Sequence, residues 1–174
     1  MEIRFMSIGS GSCGNCYYLG TEKYGILIDA GIPVKTIRLA LKKENIPFES
    51  ICAVFVTHDH ADHIKSLGVV ASKAMIPVYT TKKIHEGITR NYCITTPIDQ
   101  QYTRFIEKEH TMEFKDMKIT AFEVPHDGTD NVGYCIEIGD KVFCFLTDLG
   151  CITDTAAAYI NKANYLVIEA NYEE

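Results

Sequence analysis

Short apolar and β-branched segments alternate along the chain with polar turns, and this alternation is its strongest structural signal. Glycine and aspartate at 139–140 separate two such segments, which predicts a tight hairpin. The nine segments with the length and composition of strands are 3–8, 16–20, 25–30, 51–57, 77–81, 118–124, 133–139, 141–147 and 165–170.

Apolar residues recur at helical spacing in four other segments. Two of them, 34–45 and 62–75, carry a clear apolar stripe, and 81–92 and 153–163 carry a weaker one. Strands and helices are thus mixed along the whole chain, with no internal repeat, low-complexity tract or linker. We therefore predict one α/β domain over residues 1–174.

The segment VFVTHDHADHIKSLG, residues 54–68, breaks the ordinary pattern of a buried strand. Its apolar run ends in His58, Asp59, His60, Asp62 and His63, five ionisable side chains within six positions. Such groups are costly to remove from water unless a positive charge holds them. Imidazole and carboxylate are the usual ligands of catalytic zinc, and four of them in one loop favour two ions that share a water. A solvated polar helix cap is the alternative.

Composition restricts the compartment and the partners. The chain has 174 residues, is 47% hydrophobic, and contains no apolar run long enough to span a bilayer. Seven cysteines are an odd number, which favours reduced, mostly buried thiols and a cytoplasmic protein. The net charge of −6 argues against a broad phosphate-binding surface, although metal ions in a cleft would reverse the local sign.

The residues THDHADH match the HxHxDH motif, and by this motif the chain resembles the metallo-β-lactamase fold superfamily. Further segments come in the family's order, namely ILIDAG with Asp29, VPHD with His126 and FLTDLG with Asp148. The resemblance implies a four-layer αβ/βα sandwich. Within the superfamily, SIGSGSCGNCYYL, VPHDGTDNVGYCIE and VIEANYEE resemble the YycJ (WalJ) type of metallohydrolase, described as a 5′-to-3′ DNA exonuclease.

The resemblance also implies a ligand set. His58, His60 and His126 would bind one ion, Asp62 and His63 a second, and Asp148 would bridge them. The ions are zinc by preference, with manganese or iron as alternatives.

Four further residues receive roles around these ligands. Asp62 would also be the catalytic residue that holds the attacking hydroxide, Asp29 and Asp127 would orient ligands, and Ser12 and Asn15 would contact the substrate. For Asp127, a turn residue before Gly128 is an equal alternative.

One family feature is missing from the chain. The family normally supplies a later histidine to the second ion, yet no histidine occurs after His126. We therefore expect a C-terminally truncated chain with a weakened second site, and an uncovered strand at 165–170 that promotes dimerisation or aggregation.

Other motifs are better explained as structure. Gly9, Gly11 and Gly14 spell a dinucleotide-binding GxGxxG, but a strand-like segment comes next where that motif needs a helix. For the same reason the CxxC at Cys13 and Cys16 is predicted to hold two ordinary loop thiols.

Three more features are assigned to the surface. His85 and His110 are predicted to be surface residues, and the basic face at 35, 38 and 42 to be solvated.

The sequence predicts a dinuclear metallohydrolase in which a metal-bridging hydroxide attacks a phosphodiester, with nucleic acid as the preferred substrate. Two alternatives remain open. The same nucleophile would hydrolyse a thioester or lactone, and an incomplete second site would leave a non-catalytic metal-binding module.

Overall fold

The computed structural model describes residues 1–125 and 130–169. The chain divides into two compact units, Met1–Phe105 and a second unit that begins at Ile106. The single domain expected over 1–174 stays a prediction.

The first unit alternates strands and helices after an initial meander. Its elements are β1 (Ile3–Gly9), β2 (Cys16–Thr21), β3 (Gly25–Ile28), α1 (Val34–Lys43), a 3-10 turn (Phe48–Ser50), β4 (Ile51–Phe55), α2 (Ala61–Ile64), α3 (Leu67–Ala74), β5 (Val78–Thr80), α4 (Lys82–Arg90), a second 3-10 turn (Gln100–Tyr102) and β6 (Thr103–Phe105).

These six strands form one sheet in the order β1-β2-β3-β4-β5-β6. The pairs β1-β2 and β2-β3 are antiparallel, whereas β3 to β6 run parallel to one another. In β2, β3 and β4 nearly every side chain is buried, which explains their continuous apolar runs. The carboxyl ends of β3, β4 and β5 lie at one edge, where open α/β sheets bind ligands.

A fully buried tyrosine fills the space beside two glycines of β2 and β3. Tyr18 has no exposed surface, and its ring lies against Gly20 and Gly25. A Cβ at Gly25 would overlap the Tyr18 ring, and a Cβ at Gly20 would overlap both the phenol oxygen of Tyr18 and the backbone of β3. Gly25 is therefore required by the size of Tyr18, and Gly20 by both Tyr18 and the neighbouring backbone.

The second unit is mostly antiparallel. Its elements are β7 (Thr111–Phe114), β8 (Met117–Glu123), β9 (Val132–Ile138), β10 (Lys141–Leu146), α5 (Asp154–Lys162) and β11 (Tyr165–Ile168). The sheet order is β11-β10-β9-β8-β7, and only β10 and β11 are parallel. Helix α5 begins at Thr153, whose hydroxyl accepts the N–H of Ala156 at 3.1 Å, and its buried side packs on the sheet.

The strand predictions are confirmed at all nine segments, and Gly139 and Asp140 form the predicted two-residue turn between β9 and β10. The pattern missed β6 and β7. Both are edge strands of three or four residues with largely exposed or half-buried side chains, so neither carries an apolar run.

Three of the four predicted helices are confirmed, as α1, α4 and α5. The predicted helix over 62–75 is instead two helices, α2 and α3. Ser66 separates them because it forms hydrogen bonds to residues outside both helices. Its N–H donates to the carbonyl of Ala30 at 3.0 Å, and its hydroxyl donates to that of Ile32 at 2.5 Å.

Among the described residues, every helix is too short and too polar to cross a bilayer.

Candidate metal centre

Two loops leave the first sheet side by side. The last residue of β3, Ile28, pairs with the last residue of β4, Phe55. Asp29 continues this pairing, because its N–H donates to the Phe55 carbonyl at 2.9 Å. The loop after β4 therefore begins next to the loop after β3, and it carries the HxHxDH residues.

The carboxylate of Asp29 organises this edge. It is fully buried, and it accepts the Thr57 N–H on Oδ1 and the Thr57 hydroxyl on Oδ2, both at 2.8 Å. Nδ1 of His63 lies 2.7 Å from the same Oδ2. Asp29 itself has a φ of 60°, a left-handed conformation that is uncommon outside glycine and is often found at functional sites. The hydrogen bonds hold the residue in that conformation.

This network selects the tautomers of two histidines. Because the Asp29 carboxylate only accepts, Nδ1 of His63 must carry the proton, which leaves its Nε2 with a lone pair. The Thr57 hydroxyl spends its proton on Asp29, so it accepts from Nδ1 of His58, 3.0 Å away. Nε2 of His58 is then also the unprotonated nitrogen, the one that can bind a metal. A carboxylate that fixes histidines in this way is the usual support of a histidine–metal site.

Three imidazole rings lie together in the loop. The ring centroids of His58 and His60 are 4.5 Å apart, and those of His58 and His63 are 4.1 Å apart. One potential ligand atom of His58 lies within 4.8 Å of one of His60. His58 and His63 are buried, and His60 is half-buried. The His58 and His60 rings thus lie side by side.

Asp62 lies on the four-residue helix α2, next to His63. Its side chain is 33% exposed, and its Oδ2 lies 3.5 Å from Nε2 of His63. One carboxylate oxygen is thus near the histidine while the group stays in contact with solvent.

The glycine-rich loop after β1 packs directly on the motif. The buried Asn15 donates its N–H to the Asp62 carbonyl at 2.7 Å, and its amide Nδ2 lies 3.1 Å from Nε2 of His63. Its Oδ1 accepts the Gly11 N–H at 3.0 Å. Gly31 lies so close that a Cβ there would overlap the Asp62 carbonyl. Backbone contacts therefore fix the position of the motif.

Ser12 and Asn15, the predicted substrate contacts, differ in exposure. Ser12 is exposed at the tip of the glycine-rich loop, whereas Asn15 is buried beneath it. Their contact with a substrate stays a prediction.

The strand after the glycine-rich loop weakens the alternatives to a metal site. Strand β2 begins at Cys16, so neither the GxGxxG nor the CxxC leads into a helix. Cys16 is a strand residue rather than the loop residue expected, and burial raises the pKa of its thiol. Cys13 is exposed.

Asp148 belongs to the second unit. It comes after β10 with a φ of 52°, is 5% exposed, and lies where β10 and β11 end. Its carboxylate lies within 4.8 Å of that of Glu169, a residue to which the sequence pattern assigned no role. Glu169 comes directly after β11 much as Asp148 comes after β10, and that repeated position was the available signal. His126 and Asp127 lie outside the described residues.

One surface prediction is wrong. His85 lies on the buried side of α4, is 8% exposed, and places Nε2 2.9 Å from the Arg104 carbonyl, to which it donates. Burial lowers the pKa of this histidine. The polar neighbours in the sequence hid the fact that position 85 shares a helix face with Ile84 and Ile88. His110 is exposed as predicted.

Comparison with known proteins gives matches to both the sequence and the fold. The β-lactamase superfamily domain matches residues 24–174. Exodeoxyribonuclease YycJ of Bacillus anthracis is 31% identical over 173 residues, which are 99% of this chain and 64% of that relative. Exodeoxyribonuclease WalJ of Streptococcus pneumoniae serotype 2 is 34% identical over 171 residues, 98% of this chain and 63% of that relative. The chain thus spans just under two thirds of the length of these curated relatives.

Among solved structures, a B3 metallo-β-lactamase with an active-site glutamic acid matches with a TM-score of 0.71 and 15% identity. The match covers 91% of this chain and 73% of that protein. At this identity the match shows the fold alone, and it confirms the predicted metallo-β-lactamase-like sandwich of sheets and helices. Together, the matched domain and the fold show that the chain belongs to the β-lactamase superfamily domain family.

Proposed function

We propose that this protein is a metal-dependent phosphodiesterase that degrades DNA from an end, in the manner of a 5′-to-3′ exonuclease. The observation that carries the proposal is the Asp29 network, which holds the protons of His58 and His63 on Nδ1 and so sets both imidazoles of one loop in the tautomer that binds a metal through Nε2. The choice of DNA is supported by the two relatives named exodeoxyribonucleases, which align with nearly the whole chain.

The donor set of the first unit fits divalent metal ions. Imidazole nitrogens and a partly exposed carboxylate suit zinc, and also manganese or iron. In the proposal His58, His60 and His126 would hold one ion, Asp62 and His63 would hold a second, and Asp148 would serve as a further ligand. Ions bound there would supply a nucleophile at neutral pH and neutralise charge on the substrate phosphate.

The chain's own residues perform the remaining tasks. Asp29 and Thr57 hold the two buried imidazoles in the tautomer that binds a metal, so little reorganisation accompanies loading. Asp62, with one third of its side chain exposed, can accept a proton from a water molecule that enters the site. The exposed Ser12 hydroxyl lies on the glycine-rich loop that contacts the motif, where it can donate to a phosphate oxygen.

The substrate class is tested with the full chain loaded with zinc or manganese. We expect turnover of bis-p-nitrophenyl phosphate and of linear DNA with a 5′ end, and little turnover of a covalently closed circle. Acyl thioesters and lactones are included in the panel because the same site chemistry serves both reactions. Thioester or lactone hydrolysis without phosphodiester hydrolysis would contradict the proposal, and so would a folded, metal-loaded chain that is inactive on the whole panel.

The ligand set is tested by His60→Ala, with His110→Ala as a matched control at an exposed position. We expect His60→Ala to lose more than nine tenths of the activity with unchanged circular dichroism, since His60 is half-buried at the loop rather than in the core. The control should keep its activity. Fewer than one bound ion per chain after reconstitution would rule out the dinuclear arrangement.

A further inference from the structure

Two cysteines face each other across the β9-β10 hairpin, three residue pairs away from the pair that closes its turn. Cys135 and Cys144 are direct register partners in the antiparallel pair. They are both free thiols, and Cys135 is 4% and Cys144 0% exposed. Each thiol is the strongest influence on the pKa of the other.

The turn fixes the geometry of this pair. Gly139 has a φ of 59° at the first position of a two-residue turn, so Ile138 and Lys141 close the hairpin as a hydrogen-bonded pair. Pairs then alternate along the strands, and three steps away Cys135 and Cys144 form a non-hydrogen-bonded pair. Such pairs have Cα atoms about 4.5 Å apart and the closer side chains. A disulfide accepts Cα separations from about 4.4 to 6.8 Å, so this pair lies within reach of a direct bond.

We propose that Cys135 and Cys144 form an oxidisable dithiol, which a peroxide converts into a disulfide across the hairpin. The pair includes none of the metal-binding residues proposed above, and the proposal does not depend on the proposed hydrolase activity.

The reaction is balanced with peroxide as the oxidant. The Cys135 thiolate attacks one peroxide oxygen, the O–O bond breaks, and the departing oxygen takes a proton to leave as water. Cys135 is now a sulfenic acid. The Cys144 sulfur attacks the Cys135 sulfur, its proton leaves with the sulfenic oxygen as a second water, and the S–S bond forms. Two thiols are oxidised and one peroxide is reduced to two waters.

The surroundings assign the order of these steps. The interaction between the two thiols lowers the pKa of Cys135 and, together with burial, raises that of Cys144, so Cys135 ionises first. It is also the more exposed of the two. Lys162 on α5 further favours the Cys135 thiolate, whereas Glu137 on β9 opposes it.

A helix limits which reagents reach the pair. Both thiols lie in an apolar cluster with Phe122, Leu146 and Ala156, and Tyr159 of α5 stacks on Phe122 with ring centroids 4.1 Å apart. A reagent the size of hydrogen peroxide needs far less opening of this cluster than a maleimide does. The pair should thus resist alkylation and still be oxidised. The exposed Cys13 and Cys151, by contrast, should be readily alkylated.

The first test maps thiols in the wild-type full chain. The protein is treated with hydrogen peroxide under native conditions, quenched with N-ethylmaleimide, digested and analysed by mass spectrometry without reduction. We expect a peptide that links Cys135 to Cys144, and its loss after dithiothreitol. Oxidation of Cys13 and Cys151 with Cys135 and Cys144 still recovered as free thiols would overturn the proposal.

The second test separates the pair from the other cysteines. With Cys144→Ala, Cys135 has no partner, so peroxide should convert it to sulfinic acid and yield no linked peptide. Oxidation should raise the melting temperature of the wild type, because a cross-link restricts the unfolded chain, and should not raise that of Cys144→Ala. The control, Cys13→Ser with Cys151→Ser, should keep both the linked peptide and the shift. An equal shift in Cys144→Ala would count against the disulfide.

Discussion

A single carboxylate at position 29 determines the protonation pattern of two histidines at the motif. It does so directly for His63 and through the Thr57 hydroxyl for His58. Asp29 was predicted from the family resemblance of ILIDAG, whereas Thr57 received no role, because threonine at a strand end is common in any sheet. The link between them depends on the alignment of β3 with β4, which a sequence pattern does not specify.

Thr57→Val should weaken metal binding, with Thr57→Ser as the matched control. Valine keeps the volume and removes the hydroxyl that joins Asp29 to His58. Loss of such an outer partner typically costs about 10–100-fold in metal affinity. Zinc affinity, measured by competition with a chelator beside circular dichroism, should fall in the valine variant and stay near wild type in the serine variant. Equal affinities in the two variants would show that the hydroxyl has no such role.

His85 should make unfolding depend on pH. Burial holds its folded pKa below the ordinary value of 6.5, so its contribution to stability is complete above pH 6.5 and is lost as the pH falls through the folded pKa. The free energy of unfolding of the metal-free wild type should therefore decline on acidification below pH 6.5. His85→Gln should flatten that decline, because glutamine can still donate to the Arg104 carbonyl but does not titrate.

The exposed His110→Gln serves as the control and should behave as the wild type does, since the His110 side chain is largely exposed and pairs with the equally exposed Glu107. Chemical denaturation at pH 5.0 and pH 7.5 measures the difference. If His85→Gln lost as much unfolding free energy on acidification as the wild type does, His85 would not be the cause of that loss.

At the scale of elements, the sequence predicted the parts with strong internal patterns and missed those that neighbours impose. The nine strands have apolar runs, and three of the four predicted helices are unbroken, including the two with the weaker stripe. The break at Ser66 could not be predicted, because its hydrogen bonds go to the backbone at Ala30 and Ile32, more than 30 residues away. The same holds at the site. The motif named the candidate ligands, but the packing of the Gly-rich loop against them is a tertiary contact that the sequence pattern does not show.

Gly31→Ala should damage that packing. A Cβ at this position would overlap the Asp62 carbonyl, so the loop after β3 must move away from the HxHxDH segment. Overpacking of this kind typically costs about 1–3 kcal/mol. We expect a lower midpoint in urea and weaker zinc binding together, because the displaced backbone carries two of the proposed ligands.

Gly11→Ala provides the comparison, because a Cβ there has open space and meets only the strain of a φ of 99°. It should retain zinc affinity even if it loses some stability. If Gly31→Ala bound zinc as tightly as Gly11→Ala, close packing against Asp62 would not be important for the site.

At the scale of the whole molecule, charge and proposed substrate oppose each other. The chain has a net charge of −6, and its 17 basic residues are outnumbered by 23 acidic ones. Affinity for DNA comes largely from phosphate neutralisation by Lys and Arg, so this protein has little general attraction for nucleic acid. Bound divalent ions would supply the missing positive charge locally.

DNA binding, and not only DNA turnover, should therefore require the metal. Fluorescence anisotropy with a 5′-labelled, phosphorothioate-linked oligonucleotide measures binding while cleavage is suppressed. We expect removal of metal by EDTA to weaken binding at least tenfold, and re-addition of zinc or manganese to restore it. Equal affinity of the metal-free and metal-loaded protein would place the DNA contacts elsewhere on the molecule.

The tyrosine that fills the space beside Gly25 in the first sheet also constrains how this sequence can evolve. The ring of Tyr18 occupies the volume that a side chain at 25 would need, so a change at that glycine meets a steric barrier while the ring remains. At Gly20 the neighbouring backbone is a second barrier, which a smaller residue at 18 does not remove. Positions 18 and 25 are therefore expected to vary as a pair, and a library that varies both should yield folded combinations that no single substitution at Gly25 can reach.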